Sequence, residues 1–222
     1  MTITESNNST IGSELPKVLV AEIPRDILRA ALASVLPCLS NDKTRPILNT
    51  VNFKLSGGLL LAEGCDSYRL ARYEIDLAGE LGESFMIHAN DVKDILNALK
   101  GNGYGLPILL TSSTNLNGSR SITLRIDDAT LTVHEAPGTY PDTDALIPEA
   151  GIGEGAEGVS FNADFMATAA KIAKAMTTGK GKHAKASLMT LKALDFNKPS
   201  HWTIGGDGLG LVSFLLMPCR KP

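Results

Sequence analysis

The feature that most constrains this chain is a repeat: three times it runs strand, capped amphipathic helix and then three strands, at a spacing of about 70 residues. In the first copy Val18-Leu19-Val20 is a short β run, and Glu22-Ile23-Pro24 introduces a helix with proline near its first turn. Ile27, Leu28, Ala31, Leu32, Val35 and Leu36 then recur at helical spacing as far as Pro37. Strands follow at Ile47 to Leu55, Leu59 to Ala62 and Ala71 to Leu77, with a Gly57-Gly58 turn between the first two. The second copy opens at Phe85-Met86-Ile87-His88, takes Asn90 or Asp91 as its helix cap, and shows Val92, Ile95, Leu96 and Leu99 as the apolar face before Gly101. Its strands read at Ile108-Leu109-Leu110, Ser121 to Ile126 and Thr130 to His134, the last two split by Asp127-Asp128. The third copy opens at Val159-Ser160-Phe161, with Asn162 as cap and Phe165, Met166, Ala169, Ala170, Ile172, Ala173 and Met176 on its helix. Strands come after it at Ser187 to Phe196, His201 to Ile204 and Gly210 to Met217.

Units of this kind merge their strands into antiparallel sheets and leave the helices on one face, an α+β layer architecture. Pro148 to Gly158, rich in Gly and Glu, reads as a linker. The expected organisation is a disordered tail over 1–16, a two-unit domain over 17–148, a linker over 149–158 and a third unit, half a domain, over 159–222.

Composition narrows the setting. No apolar run approaches the ~20 residues needed to span a bilayer. The first 14 residues are polar, without the basic and apolar regions of a signal peptide, which implies a cytoplasmic protein. Cys38, Cys65 and Cys219 are odd in number and widely spaced, which argues against a disulfide framework or a zinc site. Net charge is −3, but its distribution is uneven: from Val159 onward nine Lys/Arg face three Asp, while the first 158 residues hold 12 basic and 21 acidic residues. That asymmetry suggests one basic face on an acidic body.

Within the first unit, Gly64-Cys65-Asp66-Ser67-Tyr68-Arg69-Leu70-Ala71 stands out. Asp-Ser between two strand-like runs reads as a turn, because short polar side chains bond their own backbone. A bare hairpin has no need of the aromatic, arginine and leucine that follow.

Four stretches, in this order, resemble the bacterial DNA sliding clamp family, the beta subunit of DNA polymerase III. They are Thr44-Arg45-Pro46-Ile47-Leu48-Asn49, then Cys65 to Ala71, then Gly138-Thr139-Tyr140-Pro141-Asp142 with Leu146-Ile147-Pro148, and finally Leu215-Leu216-Met217-Pro218-Cys219-Arg220. The resemblance covers about Lys17 to Arg220 and implies a DNA-clamp-like fold. It further implies a non-enzymatic role: a ring around duplex DNA that tethers a replicative DNA polymerase and docks short hydrophobic peptides of the polymerase and clamp loader. No cofactor, metal or membrane is implied.

Carried over by position, the peptide-binding pocket comprises Leu48, Cys65, Ser67, Tyr68, Arg69, Leu70, Pro141 and Leu146, completed by Leu215, Leu216, Met217, Pro218, Cys219 and Arg220. An apolar groove edged by a few polar groups is what a short hydrophobic motif needs. Met217 is of an adaptable type, and Tyr68 and Arg69 are types favoured at binding hot spots. Cys65, Ser67 and Cys219 depart from the common family residues. DNA-facing candidates are Arg25 and Arg29 on the first helix, Lys93 and Lys100 on the second, Lys171 and Lys174 on the third, and Lys180, Lys182 and Lys185 in the loop after it. A sliding ring wants such diffuse attraction without base readout.

The family's bacterial members have six of these units per chain, so three units point to a shortened version. Twelve units close a family ring, and four chains of three units supply twelve; a homo-oligomer is therefore expected. The different reading is a clamp-derived adaptor that binds clamp partners without encircling DNA. An enzyme is disfavoured by the residues themselves. Thr178-Gly179-Lys180-Gly181-Lys182 lacks phosphate-loop spacing, and Gly205 to Gly210 sits between strands rather than before a helix. The four histidines have no metal-ligand spacing, and no serine lies in a nucleophile elbow.

Overall fold

The computed structural model describes residues 19–101, 106–115, 118–149, 151–152, 159–177, 187–195, 197–205 and 208–219. The tail expected over 1–16 and most of the linker expected over 149–158 fall outside them.

Unit 1 consists of β1 (Leu19–Pro24), α1 (Arg25–Val35), β2 (Thr50–Ser56), β3 (Leu59–Cys65), β4 (Arg69–Asp76) and the two-residue β5 (Ala78–Gly79). Unit 2 consists of β6 (Phe85–His88), α2 (Ala89–Ala98), β7 (Pro107–Thr114), β8 (Arg120–Ile126) and β9 (Ala129–His134). The short β10 (Gly151–Ile152) leads to unit 3: α3 (Ala163–Ala175), β11 (Leu188–Leu194), β12 (Ser200–Gly205) and β13 (Leu211–Leu216).

Units 1 and 2 exchange their opening strands. β1 joins the sheet of unit 2, in the order β5-β1-β7-β8-β9, and β6 joins the sheet of unit 1 beside β2. Both exchanges share one register. The residue just before each helix sits opposite the first residue of the other unit's next strand, Pro24 with Pro107 and His88 with Thr50. Unit 3 is attached differently. β13 pairs with β4, so its strands prolong the unit 1 sheet into one of eight strands, β10-β11-β12-β13-β4-β3-β2-β6.

Several local expectations give way to the structure. Pro24 ends β1 rather than sitting in the first helical turn: at φ −57° and ψ 136° it is the cap residue, where a missing N–H costs little. His88, not Asn90 or Asp91, occupies the cap of α2, and its side chain makes no cap bond. Asp91 instead places its charge in the first turn, at the positive end of the helix dipole. Pro46–Asn49 is a tight 3-10 turn before β2. Val159 to Phe161 forms a single bridge, Ser160 to Cys219, rather than a regular strand. Asn162 does cap α3, its side chain accepting from the Asp164 N–H at 2.8 Å.

The main core lies between helices and sheets, with Leu28, Leu32, Tyr73, Phe85, Ile95 and Phe214 among its fully buried members. β3 packs closely on the end of α1 because residue 64 is glycine: a Cβ there would lie 2.5 Å from the Val35 carbonyl oxygen.

Candidate peptide-docking pocket

The turn after β3 is built by one carboxylate. Asp66 accepts from the N–H groups of Tyr68 and Arg69 at 2.8 and 2.7 Å, and its own N–H donates to the Arg69 carbonyl at 3.0 Å. Its second oxygen takes the Arg69 guanidinium at 2.6 and 3.0 Å. The polar turn expected from Asp-Ser is thus an Asp-centred loop that aims the next two side chains.

Both aim at unit 3. The Tyr68 ring stacks on Phe165 of α3, centroids 5.6 Å apart, and the Arg69 guanidinium lies 4.6 Å over the same ring. Arg69 also donates to the Thr168 hydroxyl at 2.7 Å. On the other side the Tyr68 carbonyl accepts the Met217 N–H at 3.0 Å, which seats the segment after β13 alongside the turn.

These elements enclose a small cavity of about 90 Å³. Leu70 and Leu215 form its floor, directly paired across β4 and β13, and with Leu48 and Cys65 they make a second buried apolar cluster apart from the main core. Ser67, Tyr68, Arg69, Leu146 and Met217 complete the wall. Tyr68 at 57%, Leu146 at 46% and Met217 at 37% exposure leave an apolar rim open to solvent. Leu146 and Pro199 also line a wider adjoining groove of about 640 Å³ that runs between residues 145–149 and the start of the β11–β12 turn.

The rim at Leu146 is held from below by a buried polar network. Glu63, fully buried, accepts from Arg72 at 2.6 Å, Asn52 at 2.9 Å and Thr143 at 2.7 Å. Arg72 reaches on to Thr143 and Asp144, and Lys54 takes the other Asp144 oxygen. Hydrogen bonds from Lys54 and then Arg72 hold the Asp144 carboxyl below its ordinary value. Cys65 donates its N–H to the Tyr140 hydroxyl at 3.0 Å, and that hydroxyl donates to Cys65 Sγ at 3.3 Å. Burial pushes both groups up, so neither the thiol nor the phenol ionises near neutrality.

Of the residues expected at the pocket, Cys65, Ser67, Tyr68, Arg69, Leu70, Leu146, Leu215 and Met217 line this cavity, and Leu48 is buried in the cluster with Cys65, Leu70 and Leu215. Corrections follow from strand geometry. Leu216 points to the opposite face from Leu215 and is fully buried in the main core, because successive strand residues alternate sides. Pro141 and Pro218 lie outside the pocket wall, and Cys219 is exposed and committed to its bridge with Ser160. Arg220 falls outside the described residues. Asp66, Tyr140 and Pro199 were not expected. Asp66 sat in plain view as the turn residue, whereas Pro199 has no local sign of its role.

On the helices, Arg29, Lys93, Lys171 and Lys174 are exposed, and so is Lys100, which lies two residues beyond the end of α2 rather than on it. Arg25 is not, which removes it from the DNA-facing set. Its guanidinium is buried, takes the Asp127 carboxylate at 2.8 and 3.1 Å, and donates to the carbonyls of Leu99, Ala98 and Lys100 at 3.3–3.4 Å. It closes the C-terminal end of α2 and ties unit 1 to unit 2. Lys180, Lys182 and Lys185 lie outside the described residues. Among the described residues no group of three His, Cys, Asp or Glu is placed to hold a metal, and no helix is long and apolar enough to cross a membrane.

Comparison with known proteins gives a consistent result. The family model described as "DNA polymerase III beta subunit, central domain" matches residues 22–142, which span units 1 and 2. The beta sliding clamp of Bacillus subtilis is 28% identical over 132 residues, 58% of this chain and 32% of that protein. That of Micrococcus luteus is 31% identical over 127 residues, 54% of this chain and 37% of that protein. The chain spans about a third of the length of the curated relatives it matches. Among solved structures, the DNA polymerase III subunit beta of Pseudomonas aeruginosa superposes with a TM-score of 0.69 at 14% identity, over 98% of this chain and 70% of that one. The beta subunit of Thermotoga maritima gives 0.62 at 15% identity, over 97% and 70%. At those identities the likeness is one of fold, and it includes unit 3, which the family model does not reach. The chain belongs to the DNA polymerase III beta subunit family.

Proposed function

We propose that this chain is a non-enzymatic clamp-like processivity factor. It tethers a replicative DNA polymerase to duplex DNA and receives partner peptides in the pocket between unit 1 and unit 3. The observation that carries the reading is the meeting of Tyr68, Leu70 and Leu146 with Leu215 and Met217 around one cavity, from stretches about 150 residues apart in sequence. The cavity has room for one apolar side chain, and the adjoining groove offers a path for the rest of a short peptide. Polymerase and clamp loader, both reached through such motifs, are the proposed partners. The exposed Arg29, Lys93, Lys100, Lys171 and Lys174 supply non-specific attraction to duplex DNA.

The test is fluorescence-polarisation binding of a labelled hydrophobic clamp-motif peptide. Tyr68→Ala with Met217→Ala should weaken it at least about tenfold while the melting temperature holds. Unchanged affinity would show that the site is misplaced.

One observation favours a second reading, that of an adaptor that does not encircle DNA. Arg25 is consumed inside the fold, which thins the basic helix face. Retention on a circular plasmid with loss after linearisation supports the ring; salt-sensitive loss from both forms alike supports the adaptor.

A further inference from the structure

Unit 3 is built as half of a strand-exchanged pair, and its mate is missing from the described residues. In each unit the segment after the last strand bonds back to the opening strand: Glu80 N–H to the Val20 carbonyl at 2.9 Å, Ala136 to Met86 at 2.9 Å, and Cys219 to Ser160 at 2.7 Å. Residues 159–161 therefore lie where β1 and β6 lie in their own units. The opposite edge of β1 and of β6 is given to the sister unit, at β7 and β2. The opposite edge of 159–161 pairs with no strand among the described residues. β11, the counterpart of β2 and β7, is likewise open along Leu188 to Lys192, since β10 covers only Ala193 and Leu194.

Side chains repeat the pattern. The exchanged strands of units 1 and 2 bring together Ile23 with Ile108, Val51 with Ile87, Ala21 with Leu110, and Phe53 with Phe85, each at most 2% exposed. Applying the same register to unit 3 sets Asn162 opposite Leu188, Phe161 opposite Met189, Ser160 opposite Thr190 and Val159 opposite Leu191. The two pairs that match the buried positions are apolar, and all four of their residues are only half-buried here. Apolar residues thus stand at core positions that this fold covers only in part.

We propose that a second copy of this chain covers them, in a two-fold dimer joined through unit 3. Each copy has both the strand to give and the edge to receive, so the surface is self-complementary, as an isologous interface requires. Residues 159–162 of each copy add antiparallel to Leu188 to Leu191 of the other, in the register by which β1 meets β7. The joined halves form one complete domain, and the dimer carries six units with β9 an open sheet edge at each end. The inference stands on the fold and not on the peptide pocket, whose binding test is independent of it.

Sedimentation equilibrium of the full chain at micromolar concentration should give twice the chain mass, and Met189→Asp should weaken the dimer at least tenfold. In a Cys219→Ser background, S160C/T190C should cross-link the two copies under oxidation, since directly opposed strand residues lie within disulfide range. A control with Cys at Ser160 and at Leu188, two residues out of register, should not. A monomer at these concentrations, or a dimer that fails to cross-link in this register, overturns the proposal.

Discussion

Unit 1 meets unit 2 through two exchanged strands and a buried arginine, but meets unit 3 through one strand pair, the packing of α3 on α1 and a clasp of side chains. The first junction is continuous core: α1 and both opening strands bury their apolar faces, and Arg25 closes the end of α2 against Asp127. The second shares the main core where Ala169, Ile172 and Met176 of α3 pack beside α1. Among the described residues, though, its sheets are joined only by the pairing of β4 with β13, and beside that pair a cavity opens whose wall is Tyr68, Arg69 and Met217. Strand exchange leaves no gap to fill. A single shared strand pair does, and the polar turn at Asp66 sets the shape of that gap. The cavity here is what remains where two sheets share a single strand pair.

The contrast makes predictions of decreasing size. Glu63→Ala should have the largest effect, because it takes the buried carboxylate from Arg72, leaves that cation only the exposed Asp144 carboxylate and unpairs Asn52; a loss of about 3–5 kcal/mol is expected, read by chemical denaturation. The same variant should loosen residues 143–146 and so weaken peptide binding as well. Arg25→Ala should cost about 2–3 kcal/mol, since several carbonyls at the end of α2 lose their donor. Arg29→Ala, one turn along the same helix but exposed, should leave the melting temperature unchanged. Equal stabilities for the two variants would refute the structural role given to Arg25. Phe165→Ala should be mildest for the fold, removing the stack on Tyr68 and the ring under Arg69. It should reduce peptide affinity about three- to tenfold, equivalent to roughly 0.7–1.4 kcal/mol, without touching the pocket floor. An affinity that holds would mean that the clasp does not preorganise the rim.

Much of this was legible in the chain itself. Helical spacing of Leu28, Leu32 and Val35, of Val92 and Ile95, and of Ala169 and Ile172 located three helices. Alternation and turn residues located most strands, because burial on one face of a sheet imposes period two. The family resemblance singled out the stretch from Cys65 to Leu70 and the one at Leu215 and Met217, and the fold brings both to one cavity. Local pattern failed where a residue's role depends on something distant. A lone arginine at the start of a helix looks solvent-facing, and only the fold brings the end of α2 and Asp127 around Arg25. Leu215 and Leu216 are alike in sequence, and only the pairing of β13 with β4 decides which one faces the cavity. The repeat itself, its three helices and its paired motifs follow from side-chain periodicity, which each segment carries alone. Which unit lies beside which, and therefore where the pocket opens and which edges stay unpaired, follows from long-range strand pairing, which no segment carries alone.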